Sequence, residues 1–245
     1  MIKKVEYADA LSSFDSTVFG CRILSTASAY GLNEPFAQFW VQEGTHTALC
    51  KLDDTVILDA GETDYNELRD FIRMTGANRL LCDSAAAQKI EFQIAASGQI
   101  MVYESTAPVQ TQSAFEINPS LRDMHALLSI CATETFTPPE FEPFYMDMSH
   151  RIRHGTAMAV GMFQADKQLV SCAICSALTE EKAILSAVCV NPEYRRKGLG
   201  HETLSAMISQ MPDKKFFVLR AQHENESFYR TFGFTACGEF SELIV

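Results

Sequence analysis

The sequence predicts an α/β (α+β) chain in which short strands alternate with helices. Three observations carry this prediction. Residues 113–245 read in the order β-α-α-β-β-β-α-β-α-β-β. Residues 1–110 repeat a similar order with weaker patterning. Between 188 and 200 a strand, a glycine-bearing turn and a helix follow one another without a gap.

In the N-terminal part, Phe36 to Gln42, Thr47 to Lys51 and Thr55 to Asp59 read as a three-strand meander. Asp64 to Met74 is an amphipathic helix with Leu68, Phe71 and Ile72 on one side. Arg79 to Cys82 reads as a strand, Ala85 to Phe92 as a helix and Gln99 to Tyr103 as a strand. The run Arg73-Met74-Thr75-Gly76-Ala77-Asn78 reads as a helix C-cap. The polar link Ala107 to Gln112 marks the boundary between a domain at 1–110 and one at 113–245.

Phe115 to Ile117 begins the second domain as a short strand. Ser120 to Cys131 is a helix, with Leu121, Met124, Leu127, Leu128 and Cys131 at helical spacing. Pro138, Pro139 and Pro143 punctuate a loop before a helical stretch from Tyr145 to Ile152. Three strands follow, at Thr156 to Phe163, Gln168 to Ala177 and Ala183 to Val190. The helix after the glycine turn continues through Leu204 and Ile208. The chain then reads as a strand at Phe216 to Leu219, a helix at Glu224 to Phe232 and a last hairpin ending at Val245.

The glycine turn is where chemistry is expected. A helix start leaves backbone N–H groups without partners, and the helix dipole puts positive charge there. Such a place suits a phosphate or pyrophosphate. Gly198 and Gly200 have no Cβ, so backbone and anion can approach closely, and Arg195, Arg196 and Lys197 add positive charge. A P-loop is excluded because Gly198 is not followed by the required G-K-[S/T] pattern. A dinucleotide fingerprint would need a third small residue where Thr203 stands, and a place after the first strand of the fold. The form R-x-x-G-x-G fits as Arg195, Gly198 and Gly200, after a strand ending Val190-Asn191-Pro192.

On these residues the chain resembles the GNAT superfamily of acetyltransferases. A second segment, Phe228-Tyr229-Arg230-Thr231-Phe232-Gly233-Phe234, looks like that family's closing F-Y-x-x-x-G-F. The specific motifs are confined to 188–200 and 221–234. The resemblance implies a mixed, mostly antiparallel central sheet flanked by helices. It extends to a fold of two similar domains side by side: a degenerate one at 1–110 without a cofactor loop, and a catalytic one at 113–245. It implies acetyl-CoA as cosubstrate, held by Val188, Cys189 and Val190 through their backbone, by Arg195, Arg196, Lys197, Gly198, Leu199 and Gly200, and by Gln222, where the family often has Asn. Asn225, one turn before Tyr229, is added for its place near the phenol's helix face.

Acetyl transfer from a thioester needs an amine stripped of a proton, a polarised carbonyl and a protonated thiolate. By resemblance Tyr229 is the general acid, since a phenol and a thiol have ionisation constants close enough for the transfer. No carboxylate stands between Ala183 and Val190, so no general base is named; His201, His223 and Glu224 are near in sequence only. Phe136, Phe141, Phe144 and Tyr145, with Glu134, Glu140, Glu142 and Asp147, would make an aromatic, acidic rim for an amine. The expected activity is therefore N-acetylation of a primary amine on a small molecule. A non-catalytic CoA-binding sensor or scaffold, and an acyltransferase for a protein amine, are the alternatives.

Composition narrows the rest. A net charge of −11 argues against nucleic acid or an acidic membrane as partner. Eight scattered cysteines suit buried thiols in a reducing cytoplasm better than a disulfide framework. Cys172 and Cys175 form a C-x-x-C in a probable strand, without a second pair at zinc spacing, so no metal is expected. No apolar h-region follows Lys3-Lys4, and no apolar run reaches the roughly 18 residues of a membrane span. A second copy of the chain is left open as a partner.

Overall fold

The computed structural model describes residues 1–104, 109–133, 136–222 and 224–245. Ala107 and Pro108 of the expected link, Glu134 of the expected rim and His223 lie outside the described residues. The chain packs as two compact units. The first comprises 1–102, 219–230 and 234–245, and the second 103–218 and 231–233.

The first unit begins with strand β1 (Ile2–Lys4) and a 3-10 turn over Ala8–Phe14. Helix α1 (Val18–Tyr30) follows, capped by the Thr17 hydroxyl on the Gly20 N–H. Strands β2 (Ala37–Gln42), β3 (Thr47–Leu52) and β4 (Thr55–Ala60) form the expected antiparallel meander. Helix α2 (Tyr65–Met74) crosses to strand β5 (Arg79–Asp83), which lies parallel to β4. Helix α3 (Ser84–Ile90) and strand β6 (Gln93–Tyr103) complete its N-terminal share.

The second unit starts with β7 (Glu116–Ile117), α4 (Leu121–Ile130) and α5 (Phe141–Arg153). The antiparallel run β8 (Met158–Phe163), β9 (Leu169–Leu178) and β10 (Lys182–Val190) comes next. Helix α6 (Leu199–Ser209) crosses to β11 (Lys215–Ala221), which runs parallel to β10. The chain then returns to the first unit, which holds most of helix α7 (Glu226–Phe232) and all of β12 (Thr235–Ile244). Both units thus carry an antiparallel meander, a crossover helix and one parallel partner. This is a mixed, mostly antiparallel sheet architecture flanked by helices.

The units do not coincide with the expected cut at 107–112. Strand β12 pairs antiparallel with both β5 and β6, from Phe240↔Asp83 to Ile244↔Arg79 and from Thr235↔Val102 to Ile244↔Gln93. Its hydrogen bonds place the C-terminal strand in the N-terminal unit, so chain order and packing order part company. Leu243 is buried in the same core as Leu49, Leu58, Leu68, Ile72 and Leu80.

Several elements differ from expectation, among them β1 and the 3-10 turn over Ala8–Phe14, which the sequence reading did not assign. Helix α1 was not expected, because its buried face includes Gly20, Ser25 and Thr26 and so lacks an apolar stripe. Strand β6 starts at Gln93, six residues early, since its exposed small and polar residues hide a long ladder with β12. Helix α5 starts at Phe141 and takes Pro143 into its first turn, where a missing N–H costs no intrahelical bond. The last hairpin is a single strand. Gly238 marks a register shift in β12, not a turn. Among the described residues, no helix is long and apolar enough to cross a membrane.

Candidate functional site

Strand β10 changes character along its length. Lys182, Ala183, Ile184 and Leu185 are buried and pair with Lys215 to Val218 of β11. Ser186 is exposed, and Ala187 and Val188 are only half-buried. The register with β9 shifts on either side of this point, between Ile184 and Leu185 and between Leu185 and Ala187. A bulge leaves one residue unpaired and bends its strand. The β11 register ends at Leu185↔Val218, so the backbone of 186–190 has an edge outside it.

The strand ends against Asn191, which is buried and whose side chain accepts from the Glu193 N–H at 3.1 Å. Pro192–Tyr194 form one 3-10 turn, and Arg195 Nε reaches back to the Val190 carbonyl at 3.0 Å. Arg196 (φ 61°) and Gly198 (φ 80°) are both left-handed. Such kinks turn successive N–H groups to one side and favour anions. Helix α6 then starts at Leu199 with Gly198 as its cap and no side-chain cap bond. Its free N–H groups therefore face an exposed loop, with Arg195, Arg196 and Lys197 beside them. Lys197 Nζ lies 5.0 Å from the centre of the Tyr194 ring.

The corresponding helix start in the first unit is closed. Asp64 Oδ1 accepts from the N–H groups of Asn66 (3.0 Å) and Glu67 (3.1 Å) at the start of α2. Glu67 adds a carboxylate in that turn, held by Gln42 Nε2 at 2.6 Å, and this bond is the first cause that keeps its carboxyl below the usual range. The chain's own anions occupy the place a phosphate would take.

Residues 128–242 match the family model described as Acetyltransferase (GNAT) domain. They are a GNAT domain. A Drosophila protein of known structure aligns over 100% of this chain and 98% of its own, with a TM-score of 0.70 at 13% identity. A tandem GNAT protein from the clavulanic acid biosynthesis pathway aligns over 100% and 98%, with a TM-score of 0.61 at 12% identity. A GCN5-related N-acetyltransferase from Kribbella flavida covers 82% of this chain and 86% of its own, with a TM-score of 0.57 at 13% identity. At these identities the likeness concerns the fold. No curated protein matches the chain by sequence.

Within the GNAT domain the structure brings Val188, Cys189, Val190 and Arg195 to Gly200 together in the second unit. Two of the three strand carbonyls already have protein donors. Ser171 Oγ donates to the Cys189 oxygen at 2.9 Å, and Arg195 takes that of Val190. Ser171 is in turn 2.6 Å from Thr203 Oγ1, whose hydroxyl also reaches the Leu199 carbonyl at 2.7 Å. Thr203, where a dinucleotide fold would have a small residue, thus ties α6 to the strand below it. Sequence reading missed Ser171. Its one signal is a hydroxyl inside the apolar run of β9, and such a buried group needs a partner. The left-handed Arg196 had no signal at all.

The other predicted residues belong to the first unit. Gln222 is exposed and lines a polar cleft of about 180 Å³ with Gly98, Gln99, Arg220, Glu226 and Glu239. Arg220 is buried and organises it, donating to Gln99 Oε1 (2.6 Å), Glu226 Oε2 (2.8 Å) and the carbonyls of Ala221 and Glu224 (3.1 Å each). Arg230, first, and then Arg220 hold the Glu226 carboxyl below its usual range. Asn225 is left-handed (φ 52°) and exposed. Its carbonyl, not its side chain, meets α7, by accepting from the Tyr229 N–H at 3.2 Å. Tyr229 is 7% exposed, with ring centres 5.1 Å from Phe228 and 5.3 Å from Phe234.

The titratable residues near in sequence and the expected rim residues scatter. His201 is exposed, and its ring lies 4.7 Å from that of Phe232. Glu193 faces solvent. Phe144 is buried in the core under α4, and Asp147 is bound to Arg151 at 2.7 Å. The Phe141 and Tyr145 rings are tilted by 43° with centres 5.7 Å apart, and Tyr145 stays exposed.

Proposed function

We propose that the chain is an acyl-CoA N-acyltransferase that moves the acetyl group of acetyl-CoA directly to a primary amine on a small molecule. One observation carries this reading: the uncapped start of α6, opened by Gly198, beside a strand that leaves its parallel register after Leu185. The pyrophosphate of the cosubstrate suits the N–H groups of 196–200 and the charges of Arg195, Arg196 and Lys197. Its pantetheine arm suits the free edge at 186–190. The amine attacks the thioester carbonyl, the C–S bond breaks, and Tyr229 gives its phenolic proton to the departing thiolate. The acceptor, rather than a residue of β10, must bring or lose its own proton through solvent, since β10 carries no carboxylate. Positioning alone supplies up to about 7–11 kcal/mol in such transfers. The net charge favours a cationic acceptor over nucleic acid or membrane, and a cytoplasmic setting suits the reduced thiols.

The burial of Tyr229 among aromatic rings favours a second reading, a CoA-binding module without turnover. Isothermal titration with acetyl-CoA, beside Gly198→Glu, tests the cosubstrate site: binding is expected in the native chain and lost in the variant. Tyr229→Phe then divides the two readings. Under the enzyme reading it lowers turnover of an amine panel at least tenfold, with acetyl-CoA affinity unchanged. Turnover equal to the native chain removes the general acid. Acetyl-CoA binding with no turnover of any amine supports the module.

A further inference from the structure

The free edge of β10 is sorted by the ladder on its other side. In an antiparallel pair, alternate residues turn their N–H and C=O groups to the partner strand, and those between turn theirs away. The Asn191 N–H donates to the Val170 oxygen at 2.9 Å, and the register pairs Val190 with Ser171 and Cys189 with Cys172. Cys189 and Asn191 therefore face β9. Val188 and Val190 turn their peptide groups the opposite way, to the edge outside the β11 register. That edge carries the N–H and oxygen of Val188 and the N–H of Val190. The Val190 oxygen also points there, but its places are taken. A carbonyl oxygen has two lone pairs. Arg195 Nε donates to this one at 3.0 Å, and the Cys131 thiol donates to it at 3.4 Å. The two donors come from different elements, the loop after β10 and the cap residue of α4.

We propose that Arg195 is a register stop on this edge. By filling the Val190 oxygen it confines the pantetheine arm to the Val188 peptide and the Val190 N–H. It thereby fixes the place of the thioester along β10, as a positioning residue and not a catalytic one. This rests on the proposed function and deepens it at the same site. A pantetheine arm is an extended chain with two amide groups. Such a chain adds to a sheet edge by backbone-type hydrogen bonds, as a peptide does. Its amide N–H groups seek carbonyl oxygens, and those of Val188 and Val190 lie two residues apart, roughly 6.6 Å along the strand. An arm paired with the wrong one carries its thioester that far from the attacking amine. Transfer needs reacting atoms about 3–3.5 Å apart, so that complex is unreactive. With the Val190 oxygen filled, one register remains.

Arg195 then has two separable tasks. Its charge serves the pyrophosphate, and its Nε–H serves the Val190 oxygen. In glutamine the amide nitrogen follows Cβ, Cγ and Cδ, as Nε does in arginine. Arg195→Gln thus keeps a donor for Val190 and removes the charge. In methionine a methyl group stands at that place. Arg195→Met removes donor and charge together. Arg195 is exposed, so neither change empties the core. The Cys131 thiol still takes one lone pair of the Val190 oxygen in both. In Arg195→Met the other is open to the arm.

The test titrates the whole native chain, Arg195→Gln and Arg195→Met with acetyl-CoA and with ADP, which carries a pyrophosphate and no pantetheine arm. Both variants lose the same charge. Both are expected to bind ADP equally, and several-fold more weakly than the native chain. The ratio of the ADP to the acetyl-CoA dissociation constant reports the arm. It is expected to match the native ratio in Arg195→Gln. In Arg195→Met it is expected to rise about fivefold, because one more hydrogen-bonding place is open. With the most active amine of the panel, kcat and KM for acetyl-CoA should fall together in Arg195→Met. Their quotient should equal that of Arg195→Gln, since the added complexes are unreactive. A merely structural role makes ADP binding weaker in Arg195→Met than in Arg195→Gln. That result, or equal arm ratios in the two variants, overturns the register stop, while acetyl-CoA binding by the native chain leaves the proposed cosubstrate site standing. The expected ratios without turnover of any amine uphold the stop and defeat the enzyme reading. No acetyl-CoA binding by the native chain overturns both.

Discussion

Replacing Asp59 by asparagine should stabilise the protein at neutral pH and not at mildly acid pH. Asp59 is buried on β4, and its Oδ2 has no hydrogen-bond partner among the described residues. Burial raises its carboxyl from 3.8 to about 6, against the Thr17 hydroxyl and the nearby His46, which lower it, and with a further raising effect from Asp83. The surroundings cannot easily relax. A Cβ on Gly20 would already stand 2.8 Å from that Oδ2 and 1.7 Å from the Phe14 carbonyl oxygen. Between pH 3.8 and about 6 the folded chain holds a proton that the unfolded chain has released. Stability from this group is thus full below the lower value and is lost as pH rises through about 6. At about 1.4 kcal/mol per pH unit, ionising Asp59 in place costs about 3 kcal/mol. The amide cannot ionise, but its extra donors lack acceptors and cost about 1 kcal/mol. Asp59→Asn is therefore expected to gain about 2 kcal/mol at pH 8 and nothing, or a small loss, at pH 4.5. Urea unfolding of both proteins across that range measures the difference. A difference that stays constant with pH, or grows as pH falls, refutes the reasoning.

Two further outcomes follow from backbone geometry. Gly98→Ala would set a Cβ 2.1 Å from the Arg220 carbonyl oxygen, a backbone atom that cannot swing aside. A loss of about 1–3 kcal/mol in urea unfolding is expected. Gly198→Ala meets nothing within 4 Å but must hold φ near 80°. It should cost about 1–2 kcal/mol in strain and weaken acetyl-CoA binding only modestly by titration, in contrast to the full loss from Gly198→Glu.

Much of the GNAT domain was legible because its signals are local. Arg195, Gly198 and Gly200 sit within one turn of chain, and the strand before them and the helix after them carry their own patterns. The meander at 37–60 was legible for the same reason, through alternation and short turns. Helix α1, by contrast, buries Ser25 and Thr26, and its Thr26 hydroxyl returns to the Arg22 carbonyl at 2.8 Å, so polar residues sit where an apolar stripe would show. The Ser171–Thr203 contact joins residues 32 positions apart. No periodicity reports such a pair.

The sequence by itself determined the loop: a glycine at Gly198, one of its two left-handed positions, cations beside it, and a helix behind it. Tertiary structure decided which strands share a unit. Strand β12 is last in the chain yet pairs with β5 and β6, because its ladder of backbone bonds and the burial of Leu243 are satisfied there. Backbone hydrogen bonds carry no residue code, so the choice of partner strand emerges only when the whole chain has packed.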